Sequence, residues 1–233
     1  MPTHYILQIE TATQVCAVAL SADGQTIAFR DIDEPNVHAA RLTLLIAELL
    51  QASGLSFQDL AAVAVSIGPG SYTGLRIGVS TAKGLCYATG LPLIGINTLV
   101  GMTDGFVAQG TAITENTRLC PMVDARRMEV FAAVYDSHLQ PLVPPAATIV
   151  DAQSFEYLEA DQRILLFGSG ADKFAVLFAD NEQVEVIPGF KNSARHLSRV
   201  AYQAFQEKQF ADVAYVEPHY LKDFVATTPK QRS

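Results

Sequence analysis

Tryptophan is absent from this chain of 233 residues, cysteine occurs three times, and only 17% of the residues carry charge. Cys16, Cys86 and Cys120 are odd in number and lack metal or redox spacing, which excludes a disulfide framework and reads as reduced thiols of a cytosolic protein. No apolar run approaches the ~20 residues of a membrane span. Met1-Pro2-Thr3-His4 carries no basic region, and Tyr5 to Ile9 is too short for a signal-peptide core, so a cytoplasmic protein with no membrane partner is expected. A basic excess is also missing: 16 Lys and Arg stand against 24 Asp and Glu, for a net charge of −8 and a pI near 5.0. Only Arg126-Arg127 and Lys230-Gln231-Arg232 group positive charge, so unaided binding of nucleic acid is not expected. The five histidines (His4, His38, His138, His196 and His219) form no pair, and no Ser/His/Asp set emerges from spacing.

What is present is apolar. Hydrophobic residues make up 49% of the chain and mean hydropathy is +0.20, enough for a sizeable core and for an exposed apolar patch facing a partner. Tyr5–Glu10, Val15–Ser21 and Gln25–Ile32 read as strands, with a hairpin turn at Asp23-Gly24. His38–Ala52 has helical periodicity, with Leu42, Leu45, Ile46, Leu49 and Leu50 on one broad face, and Gly54 supplies its stop. Ala61–Ile67 reads as a buried strand, Thr73–Thr89 as a helix and Leu93–Ile96 as a strand. The second half repeats this order more weakly: strands at Leu119–Val123 and Glu129–Tyr135, a break at Pro141–Pro145 before an edge segment, a helix start at Ser154–Leu158, a strand at Ile164–Gly168, a helix over Gly170–Phe178, a strand at Val184–Ile187 and a final helix over Ser193–Lys208. Strands followed by alternating strand and helix, twice over, predict a duplicated α/β protein. Gly101–Thr117 suits a helix end plus linker, and the expected division is 1–104 and 105–233. The last ~15 residues are expected either to pack back on the first domain or to be disordered.

The densest motif is Ile67-Gly68-Pro69-Gly70-Ser71-Tyr72-Thr73-Gly74-Leu75-Arg76-Ile77-Gly78. A strand, a glycine loop and a helix together can aim backbone N–H groups at a phosphate, which makes Gly68, Gly70, Ser71, Thr73 and Gly74 candidates for a phosphate loop. The alternative is a sharp connection in which glycine serves backbone geometry and Ser71 or Thr73 caps the helix. It is not a P-loop, since no Gly-Lys-Ser/Thr ends it and Lys83 falls inside the helix. Gly74, Gly78, Ala82 and Gly84 line that helix with small residues, suiting either tight packing on its own sheet or contact with another helix. Arg126-Arg127 beside Asp124 and Glu129 is either a solvated turn or an anion site. Glu10 ends the first strand, where a phosphate-handling carboxylate could sit.

These residues carry a resemblance. The glycine-loop block, Ala82-Lys83-Gly84-Leu85, Leu91-Pro92-Leu93-Ile94-Gly95, Ile9-Glu10-Thr11-Ala12-Thr13, Val123-Asp124-Ala125-Arg126-Arg127 with Glu129-Val130-Phe131, and Pro218-His219-Tyr220-Leu221 resemble, in order and over nearly the whole chain, the bacterial TsaB family of glycoprotease-like (peptidase M22-like) proteins. The resemblance implies an actin-like, Hsp70-like (ribonuclease H-like) ATPase fold. It also implies a role in making the threonylcarbamoyladenosine next to the tRNA anticodon. The family's catalytic sister, TsaD, holds a metal through Asn-His-Leu-Glu-Gly-His; here Asn97, Leu99 and Gly101 persist while Thr98 and Met102 stand in place of the two histidines. Neither replacement suits that metal. The resemblance therefore implies a dimerisation subunit with no catalytic and no metal residues of its own. Its implied partners are TsaD, the ATPase subunit TsaE and, alone, a second copy; tRNA is met only through the complex, and ATP or ADP only at a subunit junction. Family members pair through the first two helices, which maps the interface to Arg41, Leu42, Leu45, Arg76, Gly78 and Ser80. Two departures stand out: Glu10-Thr11-Ala12-Thr13 replaces Asp-Thr-Ser-Thr, and His38-Ala39-Ala40 replaces His-Ser-Glu. The competing expectations are an active ATP-dependent transferase or metallopeptidase of the same fold, and a small-molecule kinase.

Overall fold

The computed structural model describes residues 2–222. The expected disorder after Phe224 and the tail Lys230-Gln231-Arg232 lie outside the described residues. Two five-stranded mixed sheets repeat one plan. In the first, β1 (Tyr5–Glu10), β2 (Val15–Ala22) and β3 (Gln25–Asp33) form an antiparallel meander, and β4 (Leu60–Gly68) and β5 (Leu93–Asn97) extend it in parallel, in the order β3-β2-β1-β4-β5. In the second, β6 (Thr117–Asp124), β7 (Glu129–Tyr135) and β8 (Pro141–Ile149) repeat the meander, and β9 (Arg163–Phe167) and β10 (Val184–Ile187) the parallel pair, in the order β10-β9-β6-β7-β8. The central strands of both sheets are buried on both faces, which is why β4 and β9 read as nearly continuous apolar runs, while β1 also buries Gln8 and Glu10.

Helices α1 (His38–Ala52) and α2 (Tyr72–Thr89) lie side by side over one face of the first sheet, packing Leu42, Leu45, Ile46, Leu49, Val79, Ala82 and Cys86 against Leu7, Ile9, Val18, Leu20, Val63 and Val65. Its other face takes α4 (Ser198–Gln206), through Ala201 and Ala204 on Ile6, Ala62, Ala64, Ile94 and Ile96. Helix α3 (Thr98–Val107) belongs to the second sheet: Leu99, Met102 and Phe106 pack with Leu119, Val123, Leu165 and Phe167, and the Phe106 and Phe167 rings stack at 4.0 Å. Residue 104 thus falls inside a helix seated on the second sheet, while a later helix returns to the first. No single position in sequence separates the two packings.

Four local expectations are corrected. Pro141–Pro145 does not break the second sheet but opens β8, an edge strand whose outer side needs no ladder donors, so prolines are tolerated there. Ser154–Leu158 and Gly170–Phe178 form successive turns around one short 3₁₀ turn at Asp172–Phe174 instead of helices; each is too short to repay helix nucleation, while Phe155, Leu158, Phe174 and Phe178 still bury themselves in the second core. Ser193–Lys208 is divided into a 3₁₀ turn over Ala194–Leu197 and α4. Gly101–Thr117 does form a helix end plus connection, α3 running to Val107 and 108–116 leading to β6, and side chains at Gly101 and Gly105 would collide with Leu197 and with the His196 ring.

Candidate functional site

The glycine loop joins β4 to α2 and lies against the turn that follows β1. Ser71 caps α2, its Oγ accepting from the Gly74 N–H at 3.2 Å, and the Ser71 N–H donates to the Ala12 carbonyl at 2.7 Å. A Cβ at Gly70 or Gly74 would collide with the backbone of Ala12 or Thr11, and one at Gly78 with the Thr11 hydroxyl. The small residues on this side of α2 therefore let the helix lie directly on the turn that follows β1. Gly68 has φ of +116°, a conformation that side chains disfavour, and the His219 carbonyl oxygen sits 2.6 Å from where its Cβ would stand. Residues proposed from sequence for a phosphate loop are thus engaged by the chain's own backbone; Thr73 alone among them faces solvent on the first turn of α2 without a role in that packing.

Glu10 is fully buried beneath this loop. Its Oε1 accepts from the Ala12 N–H at 2.6 Å and from the Ser66 hydroxyl at 2.8 Å, while Oε2 has no hydrogen-bond partner. Burial pushes its carboxyl up to about 7, against the opposing pull of the Ala12 and Ser66 hydrogen bonds and of the Thr11 N–H and Asn192 amide nearby. Among the described residues no His, Cys, Asp and Glu group of three or more could hold a metal.

Thr98 and Met102 are the two positions that the resemblance aligns with the sister enzyme's metal ligands. Asn97 caps α3 by accepting from the Leu99 and Val100 N–H groups, at 2.9 and 3.3 Å. Thr98 is fully buried with its hydroxyl unpartnered, and Met102 packs among Phe106, Leu119 and Phe167. A hydroxyl and a thioether sunk in an apolar core are poor ligands for a hard divalent metal.

At the turn between β6 and β7, Arg126 and Arg127 are exposed with positive φ. The carboxylates beside them are matched by lysines instead: Lys173 bonds Asp124 at 2.6 Å and the Glu129 carbonyl at 2.8 Å, and Lys222 pairs with the Glu129 side chain.

The outer face of α1 and α2 is the other candidate surface, and the residues expected at an interface divide between it and the core. Leu42 and Leu45 are 1% and 2% exposed, and Gly78 faces Thr11, so these three point into the chain's own core. Arg41 is half-buried, 4.0 Å from Glu48. Arg76 and Ser80 are exposed, with Arg76 over the Tyr72 ring at 4.2 Å and donating through Nε to the Tyr220 hydroxyl at 3.1 Å. The positions that do face outward include Ala40, Thr43, Leu44, Ala47, Gly84 and Ala88, with Leu44 50% and Tyr87 88% exposed. Gly84 differs from the other α2 glycines: a Cβ there would meet nothing within 4 Å. Periodicity carried a signal for this, since the apolar stripe that includes Leu42 and Leu45 is the one a sheet would claim.

Comparison with known proteins decides the family. The family profile described as TsaD, tRNA N6-adenosine threonylcarbamoyltransferase, matches residues 35–230. The tRNA threonylcarbamoyladenosine biosynthesis protein TsaB of Escherichia coli (strain K12) is 32% identical over 229 residues, 95% of this chain and 96% of that protein. The chain belongs to the TsaB family. The Bacillus subtilis (strain 168) TsaB is 30% identical, with 93% of each chain covered. A tRNA N6-adenosine threonylcarbamoyltransferase of Geobacillus thermodenitrificans is 35% identical, but over 42% of this chain and 33% of its own. Among solved structures, YeaZ from Pseudomonas aeruginosa superposes with a TM-score of 0.79 at 23% identity, covering 95% of this chain and all of that one. The activator of 2-hydroxyisocaproyl-CoA dehydratase from Clostridium difficile, solved with bound ADPNP, superposes with a TM-score of 0.52 at 11% identity, over 96% of this chain and 100% of its own. The TsaB-family fold here is therefore the actin-like, ribonuclease H-like α/β fold expected from sequence. No described helix is long and apolar enough to cross a membrane.

Proposed function

We propose that this TsaB-family chain serves tRNA threonylcarbamoyladenosine biosynthesis as a non-catalytic subunit, pairing the outer face of α1 and α2 with the catalytic sister TsaD. The observation that carries the reading is Gly84. An interior helical glycine costs about 1 kcal/mol relative to alanine, and close packing within the chain accounts for Gly74 and Gly78 but not for Gly84. A glycine kept on an exposed helix beside the outward Tyr87, Ala88 and Leu44 suits the close approach of a second helix. The same face would support a homodimer when TsaD is absent, and TsaE would join the pair rather than this chain alone. Catalysis falls to the sister because Thr98 and Met102 lie in the core where its metal ligands would stand. Any ATP or ADP belongs at the junction of the two subunits, since the Gly68 and Gly70 side of the glycine loop is filled by His219 and Ala12.

The test is a reconstitution with the TsaD and TsaE of the same organism, tRNA, ATP and threonylcarbamoyl-adenylate. Modification is expected only when this chain and TsaD are both present. Gly84→Arg is expected to weaken TsaD binding on the order of 100-fold, about 2.7 kcal/mol, while the free protein stays folded. Threonylcarbamoyl transfer by this chain alone, or unchanged binding by Gly84→Arg, would overturn the proposal. The first of these outcomes would favour the active-transferase alternative, with Glu10 as its acid or base.

A further inference from the structure

After α4 the chain does not end on the second sheet but returns across the first. The Ala211 N–H donates to the Leu93 carbonyl at 2.8 Å, beside β5. Lys83 of α2 reaches out with its Nζ to the carbonyls of Ala214 and Val216, at 3.2 and 3.0 Å. The His219 N–H then donates to the Ile67 carbonyl at 2.6 Å, which sets the His219 carbonyl over Gly68. The Tyr220 ring packs on Tyr72 at 4.7 Å between centroids while its hydroxyl holds Arg76. Lys222, at the end of this path, pairs with Glu129 at the start of β7 in the second sheet.

We propose that residues 211–222 are a releasable strap that closes the glycine loop and ties it to the second sheet. Two features make it a strap and not simply another core element. It is fitted: Gly68 combines a backbone conformation that only glycine tolerates well with a surface that leaves room for the His219 carbonyl and nothing larger. It is also weakly anchored. It has no helix or strand of its own, Ala214, Tyr215, Glu217, His219 and Tyr220 are exposed, and its apolar anchors Ala211, Val213 and Val216 are only half-buried. What remains are hydrogen bonds near solvent, each contributing about 0.5–1.5 kcal/mol net. Such a segment opens locally at a fraction of the global unfolding free energy. Release uncovers the Ile67 carbonyl and Gly68, frees Arg76 on the outer side of α2, and unties α2 from the β6–β7 turn. The strap exists whatever docks on α1 and α2.

The experiment is amide hydrogen exchange on the full chain, comparing the natural protein with Lys83→Met and Tyr220→Ala. Both variants are expected to fold, and to speed exchange over residues 67–76 and 211–222 at least about tenfold, leaving β1 and the interior of β4 unchanged. Unchanged exchange over 67–76 would show that the strap does not close the loop. A uniform rise that includes β1 would show that the segment unfolds only with the whole domain. Either result overturns the proposal, and neither bears on pairing with TsaD.

Discussion

Gly84→Ala separates a glycine kept for a partner from one kept for the fold, because it should move stability and pairing in opposite directions. In the free chain the added methyl meets no atom within 4 Å, and the helix gains the propensity difference, about 1 kcal/mol. For a chain of this size that gain is a rise of roughly 2–4 °C in Tm. In the pair, the same methyl enters the contact that the missing side chain allows. A cost of about 1–3 kcal/mol for overpacking a close contact corresponds to a loss of roughly 5- to 150-fold in affinity for TsaD. The assay is calorimetry on both versions of the free protein, followed by isothermal titration of each into TsaD. A more stable variant that binds as well as the natural protein would refute the reasoning, since the glycine would then have no external use. A less stable variant would refute it differently, by showing an internal need for glycine that the geometry does not reveal.

Gly78→Ala should behave in the contrary way, destabilising the free chain by about 1–3 kcal/mol in urea unfolding because the Thr11 hydroxyl occupies the space of the new methyl. Leu45→Ala should lower stability by about 2–5 kcal/mol while folded molecules keep their affinity for TsaD, since the side chain belongs to the core of the first sheet. Glu10 binds its proton up to about pH 7 in the folded chain, against 4.5 in its ordinary state, so folding takes up a proton between these values and stability falls as pH rises through them. Glu10→Gln should remove that loss, about 3 kcal/mol when complete, seen as urea midpoints that no longer drop between pH 5 and pH 8. His196 acts oppositely: burial against Phe190, with the neighbouring Arg195 charge, lowers its pKa from 6.5 to about 4, so stability is lost as pH falls between those values. Comparing His196→Phe with Glu10→Gln over pH 4 to 8 should separate the two slopes.

Much of the architecture was legible from local pattern. The strands of both meanders, α1, α2 and the repeated order follow from apolar periodicity and from glycines at turns, because each element's buried face is written in its own residues. The glycine loop was equally plain. Other features depend on residues far apart. The same small-residue stripe on α2 holds Gly78, whose space is filled by Thr11 more than sixty residues earlier in the chain, and Gly84, whose space is empty; no spacing rule distinguishes them. Gly68 looks like a phosphate-loop glycine until His219 is seen lying over it. Gly101 and Gly105 show no local reason for glycine until Leu197 and His196 are seen pressed against them. Sequence by itself determined the duplicated α/β order, through periodicity, and the family, through contiguous motifs that resemble it. Only the tertiary structure decided which glycines serve the interior, which helix face stays exposed, and where residues 211–222 run, because steric contact between distant segments leaves no local periodic signature.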